Sequence, residues 1–468
     1  MANQLIAGVD SSTQSVKIVI RAADTGELVR QGRAPHPDGT EVDPIHWKTA
    51  LDSAIAQAGG LDDVAAISVG GQQHGMVALD ESGEVIRPAL LWNDTRSAAQ
   101  AESLNSEMGG NQAIANAVGS VLVASFTASK VRWLAENEKK SADRVYSIAL
   151  PHDWLSWQLQ GGKDFSKLFT DRSDASGTGY FDPKSSTYRR DILAKALLSD
   201  REILLPTITA PSTFGGTTTH GIPIAAGAGD NAAAALGVQA EPGDVVISLG
   251  TSGTAFAVST TSTHDSSGAV AGFADASGRF LPLVCTLNAA RIFDAATTIL
   301  GKTHDEVGAL ALSSIPGAHG LTLLPYFEGE RTPNRPDATG VFSGMNVANS
   351  NPADIARAMI EGMLSGLADA VQALADLGVD IKRVLIIGGA AKNPAVGQIA
   401  SALFGRPVLI PPAGEYVADG AAKQAAWALL GGATPPVWDL GKATHIEAAA
   451  TPEVLEKYRI LRDATINW

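Results

Sequence analysis

A chain of 468 residues exceeds what one hydrophobic core usually supports, so we expect at least two domains. Its residues are 45% hydrophobic and 18% charged, as in a globular protein, and the formal net charge of −14 argues against a nucleic-acid-binding protein. The single cysteine, Cys285, excludes a disulfide framework or a cysteine-based metal site within the chain and favours a reducing cytoplasm.

The first predicted element is a hairpin with a turn rich in hydroxyl side chains. An apolar run at residues 5–9 leads into Asp10, and a second apolar run covers residues 16–20. Hydroxyls and backbone N–H groups crowded into such a turn can hold a phosphate. The Asp10 carboxylate could hold Mg²⁺ while Thr13 reaches the phosphate. The alternative is an ordinary β-turn in which Asp10 and Ser12 only cap the backbone.

Polar side chains also follow the next predicted strand. Residues 64–69 and 76–79 are predicted to be strands on either side of a glycine-rich bend that contains Gln73 and His74. These two side chains could hydrogen-bond a polyol. The alternative is structural, because a single histidine in a bend more often serves the fold than a ligand.

The remainder of the first third continues the alternation of strands and helices. Asp94 and Arg96 are expected to form a local ion pair. Residues 130–136 are predicted to be a helix, and the apolar run at residues 145–150 is predicted to be a strand. This order predicts an α/β fold.

A glycine-rich segment at residues 227–229 leads into Asp230, which opens an alanine-rich helix. Aspartate is a favoured N-cap, so capping alone is one interpretation. The preceding glycines instead leave room for a ligand beside a carboxylate that could accept a proton from a substrate hydroxyl. A carboxylate positioned in this way is the expected base in phosphoryl transfer.

A cluster of proline, glycine and acidic residues at residues 241–244 predicts a domain boundary. We therefore expect domains at residues 1–240 and 241–468. The hairpin pattern then repeats, with Ser248 at the position of Asp10 and with Gly250 and Thr251 in the turn. Two such turns on two related halves indicate a bound nucleotide, although an ordinary hairpin is the alternative for the second copy alone.

The clearest helical signal begins at Pro352, with Asn351 as the expected N-cap. A strand is predicted at residues 383–387, and Gly388, Gly389 and Asn393 follow it. Small residues there would let a ribose or a flat ring lie against the backbone. The glycine pattern is weak by itself, and a plain turn between strand and helix is the alternative.

Together these segments resemble the FGGY family of carbohydrate kinases, in the actin–hexokinase–chaperone-ATPase superfamily. Residues 125–134 and 338–361 resemble the two family signatures, and the likeness extends to about Leu430. It implies an α/β fold of two ribonuclease-H-like domains flanking a central cleft. The N-terminal domain, residues 1–240, would bind the sugar, and the C-terminal domain, residues 241–468, would bind the nucleotide. ATP, Mg²⁺, a cytoplasmic location and a homodimer are further expectations.

The resemblance also implies a role for each candidate residue. These roles are Asp230 as the catalytic base, Gln73, His74, Asp230 and Asn231 as sugar-binding residues, Asp10 as the Mg²⁺ ligand, Thr13, Gly250 and Thr251 near the phosphates, and Gly388, Gly389 and Asn393 at the adenosine. Glycerol kinases usually have Arg-Glu in place of Gln73-His74, and Gln in place of Asn231. A pentulose is therefore expected, although Gln73 and Ala390 depart from the usual Met and Gly.

The resemblance thus implies ATP-dependent phosphorylation of D-xylulose to D-xylulose 5-phosphate. Three alternatives stay open at the level of the sequence. One is a related kinase for ribulose, a deoxy-xylulose, a hexulose or a polyol. The others are a nucleotide-dependent switch or chaperone ATPase, and a catalytically silent sugar sensor. The Gly-Asp-Asn segment at residues 229–231 disfavours the switch, and the presence of Asp10 and Asp230 disfavours the sensor.

Overall fold

The structure is a computed structural model that describes residues 4–466 and Trp468. Within these residues the strands are β1 Leu5–Ser11, β2 Ser15–Ala22, β3 Leu28–Pro35, β4 Glu41–Val42, β5 Val64–Gly71, β6 Val77–Leu79, β7 Ala89–Leu90, β8 Ser147–Ala149, β9 Phe169–Asp171, β10 Phe181–Asp182, β11 Thr187–Tyr188, β12 Thr207–Thr209, β13 Phe214–Thr217, β14 Pro223–Ala225, β15 Ala228–Gly229, β16 Asp244–Leu249, β17 Gly253–Ala257, β18 Ala271–Ala274, β19 Phe280–Thr286, β20 Thr322–Leu324, β21 Val341–Ser343, β22 Arg383–Ile387, β23 Val408–Ile410 and β24 Thr444–Ile446.

The helices of the same residues are α1 Ile45–Gln57, α2 Ala98–Glu107, α3 Asn111–Val118, α4 Thr127–Asn137, α5 Lys139–Arg144, α6 Pro151–Leu159, α7 Arg172–Ala175, α8 Arg190–Leu197, α9 Asp230–Gly237, α10 Ala290–Leu300, α11 His304–Ser313, α12 Pro352–Asp376, α13 Pro394–Phe404, α14 Tyr416–Leu430 and α15 Pro452–Ala464. Short 3₁₀ helices lie at Phe165–Lys167, Ser176–Thr178, Ala318–Gly320 and Gly389–Lys392.

The chain forms two compact units, and the border after Ala240 lies at the predicted boundary cluster. Unit 1 comprises Met1–Ala240, Ser259–Leu281 and Gly414–Asp439, and unit 2 comprises Glu241–Val258, Pro282–Ala413 and Leu440–Trp468. A single division into residues 1–240 and 241–468 therefore does not describe the structure, because two later segments belong to unit 1.

Packing on the central sheet of unit 1 explains why one of those segments belongs there. One face of the sheet packs against Trp47 of α1 and Trp154 of α6. The other face presents Ile6 and Ala66 to a row of alanines on α14, which also packs on α9. Without α14 this second apolar face would be exposed to water, so the hydrophobic effect draws the late helix onto the early sheet.

The two units repeat one arrangement of five strands. In unit 1 the order is β3-β2-β1-β5-β14, and in unit 2 it is β19-β17-β16-β22-β23. In both, the first two pairings are antiparallel and the next two are parallel. The predicted repeat and the predicted two-domain α/β fold are confirmed.

Helix α12 of unit 2 follows its sequence signals closely. The Asn351 side chain accepts a hydrogen bond from the backbone N–H of Asp354 at 3.1 Å, and Pro352 is the first helical residue. The helix ends at Asp376, shortly before Gly378, whose φ is 87°. The predicted inward positions are buried from Met359 onward, whereas Ile355 is only half-buried.

Two local features differ from expectation. Asp10 lies inside β1 rather than in the turn, and β24 lies in the region after residue 431 where no strand is predicted. β24 has only three residues, too few for a periodic signal. Among the described residues, none of the helices combines the length and apolar character that crossing a membrane requires.

Candidate active site

Three parallel strands of unit 1 bring the predicted catalytic residues to one edge of the sheet. Asp10 near the end of β1 is paired with Gly70 of β5, and Gly229 of β15 is paired with Gly71. Because the carboxyl ends of parallel strands meet at one edge, the residues that follow them lie close together. Asp10, the bend with Gln73 and His74, and Asp230 therefore share this edge.

Asp10 is a buried carboxylate with an incomplete set of partners. The residue is 4% exposed, and Oδ1 accepts no hydrogen bond from the described residues. Lys17 Nζ lies 3.8 Å from Oδ2 but is shared with Glu415, whose Oε2 it contacts at 2.6 Å. Burial raises the pKa of Asp10 to about 7, with Lys17 opposing the rise and Asp230 adding to it.

An unpartnered carboxylate oxygen with a raised pKa is suited to a hard divalent cation. Mg²⁺ prefers oxygen ligands and is usually held by one or two carboxylates together with water and substrate phosphates. The donor set at Asp10 fits this pattern, because the buried oxygen lacks another partner in the described part of the chain.

The turn after β1 is fixed by side chains from elsewhere in unit 1. Thr13 Oγ1 accepts a hydrogen bond from Trp92 Nε1 at 2.8 Å and donates one to Gln72 Oε1 at 3.3 Å. The backbone N–H of Gln72 also donates to the carbonyl of Ser11 at 3.1 Å. The hydroxyl of Thr13 is therefore held in a defined orientation in the turn that follows β1.

Asp230 is the first residue of α9, and Gly229 is its N-cap. The alternative interpretation, in which the Asp230 side chain only caps the helix, is therefore not what the structure has. Asp230 Oδ1 accepts hydrogen bonds from both the backbone N–H and the Nδ2 of Asn231, each at 2.7 Å. The residue is half-buried. Loss of hydration raises its pKa to about 6, while the bonds from Asn231 oppose that rise.

Gln73 and His74 are buried and oriented by backbone carbonyls. Gln73 Nε2 donates to the carbonyl of Ser173 at 3.0 Å. His74 Nδ1 lies 2.6 Å from the carbonyl of Gly177, a contact that requires a proton on Nδ1. His74 also has a positive φ of 69°, which is uncommon for a residue with a side chain. The structure thus holds both polar side chains in defined positions at the sheet edge.

Two phenylalanine rings flank His74. The centroid of the His74 ring lies 4.9 Å from that of Phe126 and 5.7 Å from that of Phe273. Phe126 immediately precedes α4, and Phe273 lies in β18. Sequence reasoning did not select either ring, since their approach to His74 depends on contacts between distant segments. Together they form an apolar wall beside the polar side chains.

Four further titratable residues lie buried beneath this edge and were not selected from the sequence. They are His152, Asp153, Asp171 and Asp174. Asp153 and Asp171 lie at the starts of α6 and α7, and aspartates at helix starts are usually caps.

In unit 2, Gly250 and Thr251 occupy the turn between β16 and β17, and both are exposed. The turn is held through its backbone, because the N–H of Ala290 donates to the carbonyl of Gly250 at 2.9 Å. The N–H of Ala289 donates to the carbonyl of Thr251 at 3.4 Å. The start of α10 therefore supports the predicted phosphate-binding turn.

Glu330 holds the segment that supports this turn. Its buried carboxylate accepts hydrogen bonds from the backbone N–H of Leu287 at 2.7 Å and from Asn288 Nδ2 at 3.0 Å. Asn288 Nδ2 also donates to the carbonyl of Gly329 at 2.7 Å. Burial raises the pKa of Glu330, while these bonds oppose the rise. Local sequence patterns do not reveal this role of Glu330, since its partners lie some 40 residues away.

Gly388 and Gly389 follow β22 at the same sheet edge as the Gly250 turn, since Ser248 is paired with Ile387. Gly388 has a φ of 99°, and a Cβ there would lie 2.4 Å from the carbonyl oxygen of Leu249. A Cβ on Gly389 would meet no atom within 4 Å, so the space in front of it is open. Three of the predicted nucleotide-binding glycines are thus brought together.

Asn393, which is also expected near the adenosine, has a side chain held by hydrogen bonds within the protein. Its Oδ1 accepts from the N–H of Ala395 at 3.0 Å and caps α13, while its Nδ2 donates to the carbonyl of His304 at 2.9 Å. The side chain is buried. Its contacts in the described structure are therefore structural.

Comparison with known proteins decides the family. Residues 5–237 match the N-terminal domain of the FGGY family of carbohydrate kinases, and residues 245–429 match its C-terminal domain. The chain belongs to the FGGY family of carbohydrate kinases. Its substrates as an FGGY carbohydrate kinase are accordingly a carbohydrate and ATP.

Several FGGY relatives are similar over nearly their whole length. The chain is 45% identical to the xylulose kinase of Streptomyces coelicolor over 91% of this chain and 88% of that protein. It is 42% identical to the xylulose kinase of Streptomyces rubiginosus over 96% and 94%. The crystal structure of xylulose kinase from Bifidobacterium adolescentis matches with a TM-score of 0.91 and 47% identity over 99% and 100% of the two chains.

Proposed function

We propose that this FGGY kinase transfers the γ-phosphoryl group of ATP to D-xylulose, giving D-xylulose 5-phosphate and ADP. The observation that carries the proposal is the carboxylate of Asp230, oriented by Asn231 at the edge that also holds Asp10, Gln73 and His74. The names of the relatives, which are 42% to 45% identical over most of the chain, support the sugar.

Asp230 would act as the general base. With a pKa of about 6, it is mostly ionised at pH 7.5 and can accept the proton of the 5-hydroxyl as that oxygen attacks the γ-phosphorus. The bond from the γ-phosphorus to the bridging oxygen breaks, and ADP leaves. The hydrogen bonds from Asn231 fix the accepting carboxylate before the sugar arrives, which lowers the entropic cost of alignment.

The sugar would bind against the bend after β5. Gln73, His74 and Asn231 supply polar contacts, and the rings of Phe126 and Phe273 supply an apolar wall for the carbon backbone. A polar side chain held by the protein discriminates well among hydroxylated substrates, because a substrate lacking the matching group leaves it unpaired.

The metal and the nucleotide would be held by groups of each unit. Asp10 would hold Mg²⁺, and Thr13 would approach the transferring phosphoryl group. When bound, Mg²⁺ neutralises negative charge on the phosphate oxygens. In unit 2, Gly250 and Thr251 would contact the phosphates, and Gly388, Gly389 and Asn393 would lie near the adenosine. We expect the enzyme to work in the cytoplasm. We also expect a homodimer, and light scattering after gel filtration would measure the mass of the particle.

The test is ADP release from ATP and Mg²⁺ in the presence of a panel of sugars. D-xylulose should give the highest kcat/KM when compared with D-ribulose, 1-deoxy-D-xylulose, D-fructose and glycerol. A higher value with another sugar would refute the proposed substrate while leaving the kinase assignment intact. ATP consumption that no sugar stimulates would instead favour a nucleotide-dependent switch.

A further inference from the structure

The four buried residues beneath the sugar-binding edge, His152, Asp153, Asp171 and Asp174, form what we call the His152 cluster. Each is at most 2% exposed. His152 Nε2 lies 3.3 Å from an oxygen of Asp153, 3.3 Å from one of Asp171 and 3.4 Å from one of Asp174. One ring nitrogen thus faces three carboxyl groups that come from two different segments of the chain.

Two of the three carboxyl groups are held by backbone donors. Asp153 Oδ2 accepts from the N–H of Leu150 at 2.8 Å. Asp171 accepts from the N–H groups of Ser173 and Asp174 at 2.7 and 3.0 Å and so caps α7. Such hydrogen bonds favour the ionised form of a carboxyl group. Asp174 differs, because neither of its oxygens accepts a hydrogen bond from the described residues.

Buried carboxylates need a nearby cation, and His152 is the group placed to provide it. Burial acts to lower the pKa of His152, but the three aspartates outweigh it and raise the pKa to about 10. Burial also raises the pKa of Asp174 well above its usual value. The neighbouring cation Arg172 is turned towards the carbonyl oxygens of Arg279 and Pro183 instead.

The cluster is connected to the sugar-binding edge through Ser173. The Ser173 carbonyl accepts the hydrogen bond of Gln73, and its Oγ accepts one from the N–H of Gly229 at 3.1 Å. Gly229 immediately precedes Asp230. The carboxylate that fixes Ser173 is Asp171, which faces His152 directly.

His152 is also wedged into the ends of the strands that carry the site. A Cβ on Gly227, just before β15, would lie 2.7 Å from His152 Nδ1, and a Cβ on Gly71 of β5 would lie 3.0 Å from the Cβ of His152. A change in the position of the ring would therefore be transmitted both to β5 and to the segment that leads to Asp230.

We propose that His152 is a positioning residue whose ring is the cationic partner of the three buried carboxyl groups that face it. In this role it fixes Asp171 and α7, and through Ser173 it fixes Gln73 and the backbone before Asp230. The proposal rests on the proposed function in one respect only, because one of its two tests measures sugar turnover.

The first test separates the charge of residue 152 from its shape. In His152→Gln the neutral amide should raise the KM for the sugar by about 10- to 100-fold, since a displacement of about 1 Å at a site can cost 100-fold. The KM for ATP should change less than about twofold, because no group of the cluster belongs to unit 2. His152→Lys keeps a cation and should recover the sugar KM to within about fivefold of the unmodified protein.

The matched control is His264→Gln. His264 also lies in unit 1 and is hydrogen-bonded by both ring nitrogens, to Ser262 Oγ and to the carbonyl of Ala115, away from the carboxyl cluster. We expect no change in either KM. Equal effects of His152→Gln and His152→Lys on the sugar KM, or no effect of His152→Gln, would overturn the proposal.

The second test measures the protonation of His152 directly and depends on neither sugar turnover nor sugar binding. When the histidines are labelled with ¹⁵N and ¹³C, the NMR chemical shifts of their rings report protonation. The ring signal that is missing from the spectrum of His152→Gln belongs to residue 152. If His152→Gln fails to fold, His152→Lys serves for the same assignment. We expect that signal to show a charged ring from pH 6 to 8, since the facing groups are Asp153, Asp171 and Asp174, with Asp230 and Tyr180 beyond them. Titration near pH 6.5, or a stoichiometric zinc or manganese ion that His152→Gln loses, would refute a charged imidazole. If the ring of His152 is charged but the enzyme does not turn over D-xylulose, only the proposed substrate is refuted.

Discussion

The corresponding turns of the two units occupy the same place in the strand order and differ in chemistry. Each joins two antiparallel strands, and the penultimate residue of the first strand is Asp10 in unit 1 and Ser248 in unit 2. Asp10 is paired across the hairpin with Lys17, whereas Ser248 is paired with Thr254. One turn thus has a partly buried pair of opposite charges at its base, and the other has two hydroxyl residues.

The surroundings extend this difference. The turn of unit 1 is held by side chains, including those of Trp92 and Gln72, next to carboxyl groups with raised pKa values. The turn of unit 2 is exposed and is held by backbone hydrogen bonds from the start of α10. The same strand arrangement can therefore carry a turn with charged side chains, as in unit 1, or a turn held mainly by backbone hydrogen bonds, as in unit 2. We expect changes at the turn of unit 1 to act on kcat and changes at the turn of unit 2 to act on the KM for ATP.

The largest effect should come from Asp230→Asn. The amide keeps the shape of the side chain and cannot accept the hydroxyl proton, so kcat should fall by about 100- to 10,000-fold, the usual contribution of a general base. Calorimetric binding of the sugar should persist. In the unmodified enzyme kcat should fall as the pH drops below about 6, because Asp230 then becomes protonated. Near-normal turnover of the variant would contradict the assigned base.

Asp10→Asn should separate activity from stability. Activity should fall by about 100-fold or more, since a bound metal ion contributes several kcal/mol to the reaction. Stability in EDTA should increase, because ionising Asp10 in the folded protein costs about 4 kcal/mol at pH 8, given a pKa of about 7 against 3.8.

The direction of the pH dependence of stability follows from the pKa of Asp10, which is higher in the folded protein than in the unfolded chain. The contribution of Asp10 to stability is present below about pH 4 and is lost as the pH rises through about 7. The difference in melting temperature between Asp10→Asn and the unmodified protein should therefore widen over this interval and then stay constant. A difference that narrows with rising pH would contradict the raised pKa.

Glu330→Gln tests the backbone-supported turn of unit 2. The amide nitrogen would oppose either the N–H of Leu287 or the Nδ2 of Asn288, so one hydrogen bond becomes a contact between two donors. We expect the KM for ATP to rise about 3- to 10-fold, corresponding to the loss of about one hydrogen bond, with the sugar KM unchanged. Glu328→Gln in the same loop is the control, since Glu328 is exposed. An equal effect of both variants would show that the support of the turn lies elsewhere.

The smallest effect on activity should come from paired glycine variants. Gly388→Ala should lower the melting temperature by several degrees, because its Cβ would press on the carbonyl of Leu249 at a positive φ. Gly389→Ala should leave stability unchanged, because the space around it is open, and should raise the KM for ATP about twofold if adenosine lies there. Thermal unfolding and ATP titration check both.

Local signals in the sequence predicted the repeated hairpins, the start of α9 at Asp230 and the capped start of α12. Each of these depends on residues close together in the chain. The His152 cluster, the support from Glu330 and the rings around His74 could not be predicted in this way. They require approaches between segments tens to about 200 residues apart, which periodicity and turn patterns do not encode.

The domain border illustrates the same limit. The cluster at residues 241–244 marks the first change of unit correctly, because a Pro/Gly-rich break is a local feature. The return of α14 to unit 1 is determined by an apolar sheet face that only a distant helix covers.

The late position of α14 has a consequence for how the chain is made. A ribosome releases the sheet of unit 1 long before it reaches residues 416–430, so the nascent protein displays Ile6, Val19 and Ala66 without their covering helix. Vectorial synthesis therefore cannot complete the first unit before most of the second has emerged. During that interval the uncovered face is a natural binding surface for chaperones. A nascent chain that stops before Tyr416 would leave an incompletely packed sheet and become a substrate for proteolysis.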